Sequence, residues 1–299
     1  MARKKKGGLT LWAVLAVGFM AGAAVVLILV KYSDLFTPAP APRVEKPPVQ
    51  KPFVPEVTAP EVPSAVAPPV KKAYPRVAIV IDDMGQDMKK LRELIALNAP
   101  ITVAVLPNLS HSKDTAKEAH ARGLEVLLHL PMEPKDLGDN NPGKGALLTA
   151  MTSEEIRKNI EDDLKTVPYA AGVNNHMGSR FTEDERQMRS VLNVVKKRKM
   201  FFLDSRTSSN SVAGKVAGEI GVRNADRNVF LDNSRDITYI KGQITELVSI
   251  ARKHGSAIAI GHPHPETIEA IKESLEVLNG SVEIVKLSDI VNKKETEQP

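Results

Sequence analysis

The sequence predicts an α/β body, a (β/α) barrel of seven to eight parallel strands, carried behind one transmembrane helix and a proline-rich stalk. Three observations lead there. From Arg76 onward, short β-branched runs alternate with amphipathic stretches of helical length. The runs are apolar on successive residues, which is the pattern of strands covered on both faces. Finally, the 224 residues from Arg76 to Pro299 can hold one sizeable core but not two enzyme domains with a linker. An open doubly wound sheet is the alternative arrangement of the same units.

Residues 1–8 form a basic tail containing Arg3, Lys4, Lys5 and Lys6. Leu9 to Val30 follow without a single charge, and 22 residues at about 1.5 Å each span a hydrocarbon core of about 30 Å. A cleaved signal peptide would have a shorter apolar stretch and a small-residue cleavage site, whereas Lys31, Tyr32 and Asp34 follow Val30. The expectation is therefore a single-pass anchor in the inner membrane. Positive charge before the helix keeps the N-terminus cytoplasmic and sends the rest across, to the periplasm or outside. Residues 31–75 make the linker, with eleven prolines between positions 37 and 73. That composition forms neither helix nor central strand and reads as an extended spacer.

Of 41 Lys/Arg and 36 Asp/Glu, the first 75 residues take ten and four, so the body holds 31 against 32. The basic pI of about 9.2 thus belongs to the tail and linker, and the body gives no support to nucleic-acid binding, which needs concentrated positive charge. With no cysteine, disulfide frameworks, Cys-ligated metals and thiol nucleophiles are excluded.

The strand runs are 76–81, 101–106, 124–130, 171–176, 200–204, a weaker one at 221–226, then 256–262 and 282–287. Helices are expected near 87–97, 111–122, 210–219, 238–254 and 265–279, with Pro265 suited to a first turn. Two more are expected after capping boxes at Thr152–Glu155 and Thr182–Glu185. The longest irregular stretch, 131–151, has the length of a functional loop. The body ends near 292, leaving 293–299 as a disordered tail.

In a parallel barrel, reactive groups gather on the loops after the strands. Five runs end in such chemistry: Asp82-Asp83, His129 through Glu133, Asn174-Asn175-His176, Asp204-Ser205-Arg206-Thr207 and Gly261-His262-Pro263-His264. Four of the seven histidines thereby fall on one rim, which independent surface histidines would have no reason to do. Adjacent carboxylates repel unless a cation or donor offsets their charge. Imidazole and carboxylate together suit zinc or a zinc-like divalent ion with three protein ligands. Singly, each motif has a plainer use. Asp82-Asp83 could cap the helix at 87–97, His129 could be a buried core histidine, and His262 and His264 could sit in a rigid turn.

At these residues the sequence resembles the divergent polysaccharide deacetylase family. The resemblance covers about 76–292 through Ile81–Gly85, His129–Pro134, Asn175–Ser179, Phe202–Thr207 and Gly261–His264. It implies a distorted (β/α) barrel and metal-dependent removal of N-acetyl groups from an envelope polysaccharide. By resemblance Asp82 is the general base, Asp83 and His129 are metal ligands, and Glu133 or His176 completes the set. His262, or His264, corresponds to the general acid. Asp204 would orient that histidine and Arg206 would pair with Asp82 or with a substrate carboxylate, unless both serve a structural ion pair. The resemblance leaves room for a non-catalytic module that binds envelope glycan or protein on the same barrel, and for hydrolysis of another amide such as a cell-wall peptide.

Overall fold

The computed structural model describes residues 74–291. The expected tail 1–8, membrane helix 9–30, nearly all of the linker 31–75 and the tail 293–299 lie outside the described residues. Among those described, no helix is long and apolar enough to cross a membrane.

Strands and helices alternate throughout. The chain runs β1 (Arg76–Met84), α1 (Met88–Ala96), β2 (Thr102–Val105), α2 (Ser112–Ala121), β3 (Glu125–Met132), α3 (Ser153–Thr166) and β4 (Ala170–Met177). It continues through α4 (Glu185–Lys197), β5 (Phe201–Asp204), α5 (Ala213–Ile220), β6 (Asn224–Asp226), β7 (Val229–Phe230), α6 (Ile237–His254) and β8 (Ser256–Gly261). It closes with α7 (Pro265–Asn279), β9 (Glu283–Ile284) and α8 (Leu287–Ile290). Local chemistry sets the helix starts. Asp87, Asp184 and Asp236 cap α1, α4 and α6 through their carboxylates, Thr152 and Glu155 complete a capping box on α3, and Pro265 opens α7. The second expected capping box does not form. Thr182 sits in a 3-10 turn (Phe181–Glu183) with its hydroxyl bonded to the Gly178 carbonyl, and Asp184 takes over as cap.

All pairings are parallel, in the order β6-β5-β4-β3-β2-β1-β8-β7, with β9 beside the start of β1. The order has two ends, β6 and β7, that do not pair with each other. Yet Asp226 ends one and Val229 begins the other, so three Cα steps of ~3.8 Å, about 11 Å at most, separate the two edges. The intervening Arg227 and Asn228 donate their amides to the carbonyls of Asp204 on β5 and Ile258 on β8. The sheet is therefore curled into an incomplete barrel whose seam is crossed by the chain instead of by a ladder. A missing ladder is what separates it from a fully closed barrel, in keeping with the distorted barrel expected from the sequence.

Strand alternation divides the core. Val77, Ile79, Ile81, Leu128 and Leu130 pack outward against Leu91, Leu94, Ile156, Val191, Leu247 and Ile271 of the helices. Ala78, Val80, Ala104, Leu127, Phe201, Leu203, Ile258 and Ile260 fill the inside. Phe201 lies across Gly172, where a Cβ would strike its ring. This apolar plug stops abruptly. Two residues further along the same strands, on the same face, stand Asp82, His129, Ser205 and His262.

Candidate metal centre

The polar mouth of the barrel is organised around Asn174, which pairs in register with His129. Its amide nitrogen donates to Asp82 Oδ1 at 2.8 Å and reaches Ser205 Oγ at 3.3 Å. Its carbonyl oxygen is thereby left facing His129 Nδ1 at 2.9 Å, so that ring nitrogen carries the proton. A neutral His129 consequently points the lone pair of Nε2 into the mouth.

Two further acceptors meet it there. Asp83 Oδ1 lies 3.2 Å from His129 Nε2 and 3.0 Å from His176 Nδ1, and the two imidazole nitrogens are 3.1 Å apart. Asp83 Oδ1 is buried without any hydrogen-bond donor. A convergence of lone pairs around a buried, orphaned carboxylate oxygen calls for a cation. Donors about 2.0–2.2 Å from one tetrahedral zinc stand ~3.3–3.6 Å apart, so the triangle is slightly tighter than the liganded one. These residues fit the ion they were expected to bind. Burial disfavours the His129 imidazolium, but the Asp82 and Asp83 carboxylates overcome this and raise its pKa to about 9. Burial likewise works to raise the Asp83 pKa, and His129 and His176 outweigh it, holding the carboxyl well below the usual range. Asp82 goes the other way, raised mainly by its complete burial.

How both adjacent carboxylates reach one mouth is a backbone matter. Successive strand residues face opposite sides, and Asp82 has the inward parity. Asp83 adopts φ 56°, a left-handed conformation that Asp tolerates better than most residues, and the strand's alternation breaks there. Met177 (φ 52°) and Gly178 (φ 85°) turn the chain equally sharply after His176, and a Cβ at Gly178 would come within 2.9 Å of Met132 Cβ.

Across the mouth, His262 Nε2 stands 3.8 Å from Asp83 Oδ2. Its Nδ1 bonds Asp232 Oδ1 at 3.0 Å, while Asp232 Oδ2 accepts the His262 amide at 2.6 Å and the Thr267 hydroxyl at 2.8 Å. Burial lowers the His262 pKa, but Asp232 and the Asp83 charge raise it further, for a net upward shift. Asp232 was not anticipated. It ends the run Val229-Phe230-Leu231-Asp232, and the strand-end rule that found the other motifs would have found it had a two-residue strand been visible.

The structure brings together Asp82, Asp83, His129, His176 and His262, sets His264 beside His262, and leaves out Glu133, Asp204 and Arg206. Glu133 lies apart because β3 stays extended to Met132, so four residues place it about 13 Å beyond His129 along the strand. Its carboxylate instead accepts from the Thr149 amide and hydroxyl and faces Arg180 Nε at 3.4 Å, pinning the 133–152 loop. Asp204 has the outward parity. It accepts from the Arg206 amide and the Ser211 hydroxyl, and the carboxylate orienting His262 is Asp232. Arg206 sits 3.9 Å from both Asp204 and Asp226 and bonds the Ser209 carbonyl, so its guanidinium pairs with neither Asp82 nor an open mouth. His264 begins α7 beside His262, with ring centroids 5.8 Å apart, and makes no side-chain cap bond. Its pKa is lowered by burial and by Arg235. Asp232, His262 and His264 form a second group of metal-compatible side chains, although the Asp232 oxygens are already spoken for.

The fold and rim thus define a parallel (β/α) barrel with a carboxylate–imidazole centre at its strand ends. Residues 79–291 match the family described as divergent polysaccharide deacetylase, and the chain belongs to that family. It is 38% identical over 222 residues to the uncharacterized protein YibQ of Escherichia coli (strain K12), covering 74% of this chain and 69% of that one. A protein of Haemophilus influenzae is 37% identical over 218 residues, 73% of this chain and 77% of that one. The crystal structure of ATU2773 from Agrobacterium tumefaciens C58 superposes with a TM-score of 0.70 at 27% identity, covering 75% of this chain and 92% of that one.

Proposed function

We propose that the mouth is the active site of a metal-dependent hydrolase that removes N-acetyl groups from an envelope polysaccharide, on a chain anchored in the inner membrane with its body in the periplasm. The observation that carries this reading is the meeting of Asp83 Oδ1, His129 Nε2 and His176 Nδ1 within 3.0–3.2 Å of one another, beside a second, fully buried carboxylate. Family membership supports the choice of substrate class.

Asp83, His129 and His176 would hold the ion. A divalent cation such as zinc, when bound, supplies Lewis acidity toward an acetamide carbonyl and acidifies water. Asp82 is the residue placed to accept a proton, since burial raises its basicity and Asn174 fixes its orientation. On the opposite side, His262 Nδ1 is bonded to Asp232, which favours the imidazolium, and Nε2 is the atom from which a proton would pass to a departing amine. His264, with a lowered pKa, is neutral at neutral pH and is not assigned this role.

The reading is tested by acetate release from an N-acetylglucosamine oligomer, measured beside metal content, in the intact chain and in Asp83→Ala. Release that needs both zinc and Asp83 supports it. A second reading, a glycan- or protein-binding module without catalysis, draws on the charge balance that a protonated His129 already provides between Asp82 and Asp83. Negligible metal in both proteins, with glycan binding retained, would favour that module.

A further inference from the structure

We propose that the end of the barrel opposite the histidine mouth is a docking face for an anionic lipid surface. The turns that enter β3, β4, β5 and β6 carry Arg122, Tyr169, Lys199 and Arg223, and these four strands are consecutive neighbours in the sheet. Strands about 4.8 Å apart set the four side chains in a row roughly 15 Å long. All four are exposed, and Tyr169 is 57% exposed. Lys197 and the Arg252–Lys253 pair, at the ends of α4 and α6, are exposed as well.

The charge there exceeds what the helices require. Helix C-termini carry about half a negative charge, which one basic residue per helix offsets. Residues 196–199 supply four at the end of α4 alone. Of the carboxylates near the ends of α3 and α4, Glu161 pairs with Arg198 and Asp162 with Lys158 and Lys165. Arg122, Lys197, Lys199, Arg223, Arg252 and Lys253 have no carboxylate partner among the described residues.

Charge alone would suit any polyanion, and the tyrosine narrows the choice. Tyr169 stands with φ 65° at the tip of its turn and stacks on His120 at 4.1 Å with the rings parallel. An exposed, rigidly held tyrosine amid basic groups has the character of residues that settle at the headgroup level of a bilayer. The described chain also begins on this side, at Tyr74 just before β1, with Leu9–Val30 earlier in the same chain. This surface lies at the other end of every strand from Asp82 and His129, so docking would turn the mouth away from the lipid.

The absence of cysteine makes the test direct. A dye is placed on the full-length chain at Lys199→Cys or, on the loop beside the mouth, at Asp139→Cys, and energy transfer to labelled headgroups is read in vesicles. Transfer from position 199 should rise about threefold when about 30% phosphatidylglycerol replaces phosphatidylcholine, and position 139 should not follow. About 0.5 M salt should reverse the rise, as should adding Lys197→Glu with Arg252→Glu to the labelled chain. Equal transfer from position 199 in neutral and anionic vesicles, or a rise indifferent to salt and to charge reversal, would overturn the proposal. Acetate release from a soluble oligomer should be unchanged by Lys197→Glu, so the two readings fail separately.

Discussion

The inside of this barrel changes character within two residues. Val80, Leu127, Leu203 and Ile260 form part of an apolar plug, and Asp82, His129, Ser205 and His262 follow on the same four strands and the same face. The plug is apolar except at its lower edge, where Thr102 donates to Glu125 and both accept backbone amides of α8. The mouth is almost entirely polar, and its members satisfy one another through Asn174 and Asp232 except at Asp83 Oδ1, which is left without a donor. The contrast teaches where stability and chemistry reside: the lower layer packs, while the upper layer gathers ionisable groups and leaves one buried carboxylate oxygen without a partner.

Substitutions should separate the two layers. The largest expected effect is in the mouth, where His129→Ala should lower metal affinity by more than the ~10–100-fold typical of losing an outer partner, and abolish acetate release. Titration calorimetry with zinc measures the first and an acetate assay the second. Asn174→Ala removes such an outer partner and should cost roughly 10–100-fold in metal affinity while the fold persists by circular dichroism. The plug should respond in the opposite sense. Phe201→Ala should cost about 3–5 kcal/mol in chemical denaturation, and Gly172→Ala about 1–3 kcal/mol through overpacking, with one metal still bound per folded chain.

A smaller effect sharpens the comparison from outside both layers. Asp163, on α3 beneath the 133–152 loop, accepts from Asn108 through one oxygen and leaves the other unpaired, and burial raises its pKa to about 7. A carboxyl with a raised folded pKa binds more protons folded than unfolded, so its favourable contribution is complete below about pH 4 and is lost as pH climbs to about 7. Stability should therefore fall across that window. Asp163→Asn, which keeps an acceptor for Asn108, should flatten the fall in urea titrations run from pH 4 to 8.

Much of this architecture was legible in the sequence because its strands are long enough to show. The runs at 76–81, 124–130, 171–176 and 256–262 lead into the observed β1, β3, β4 and β8, and the motifs they end in supplied Asp82, Asp83, His129, His176 and His262. What failed did so for definable reasons. Asp232 escaped because β7 has only two residues, too few for a periodic signal. Asp204 looked eligible until strand parity turned it outward. Glu133 carried a spacing that would bring two ligands together on a helix, where i and i+4 meet, but the segment is extended. The left-handed turn at Asp83 that puts both carboxylates on one side has no sequence signature beyond Asp's tolerance of that conformation.

The most direct measurement is anomalous diffraction at the zinc edge from crystals of the protein soaked in zinc. The account predicts one strong peak about 2.0–2.2 Å from each of Asp83 Oδ1, His129 Nε2 and His176 Nδ1. A peak beside Glu133, or none at the mouth under saturating zinc, would contradict it.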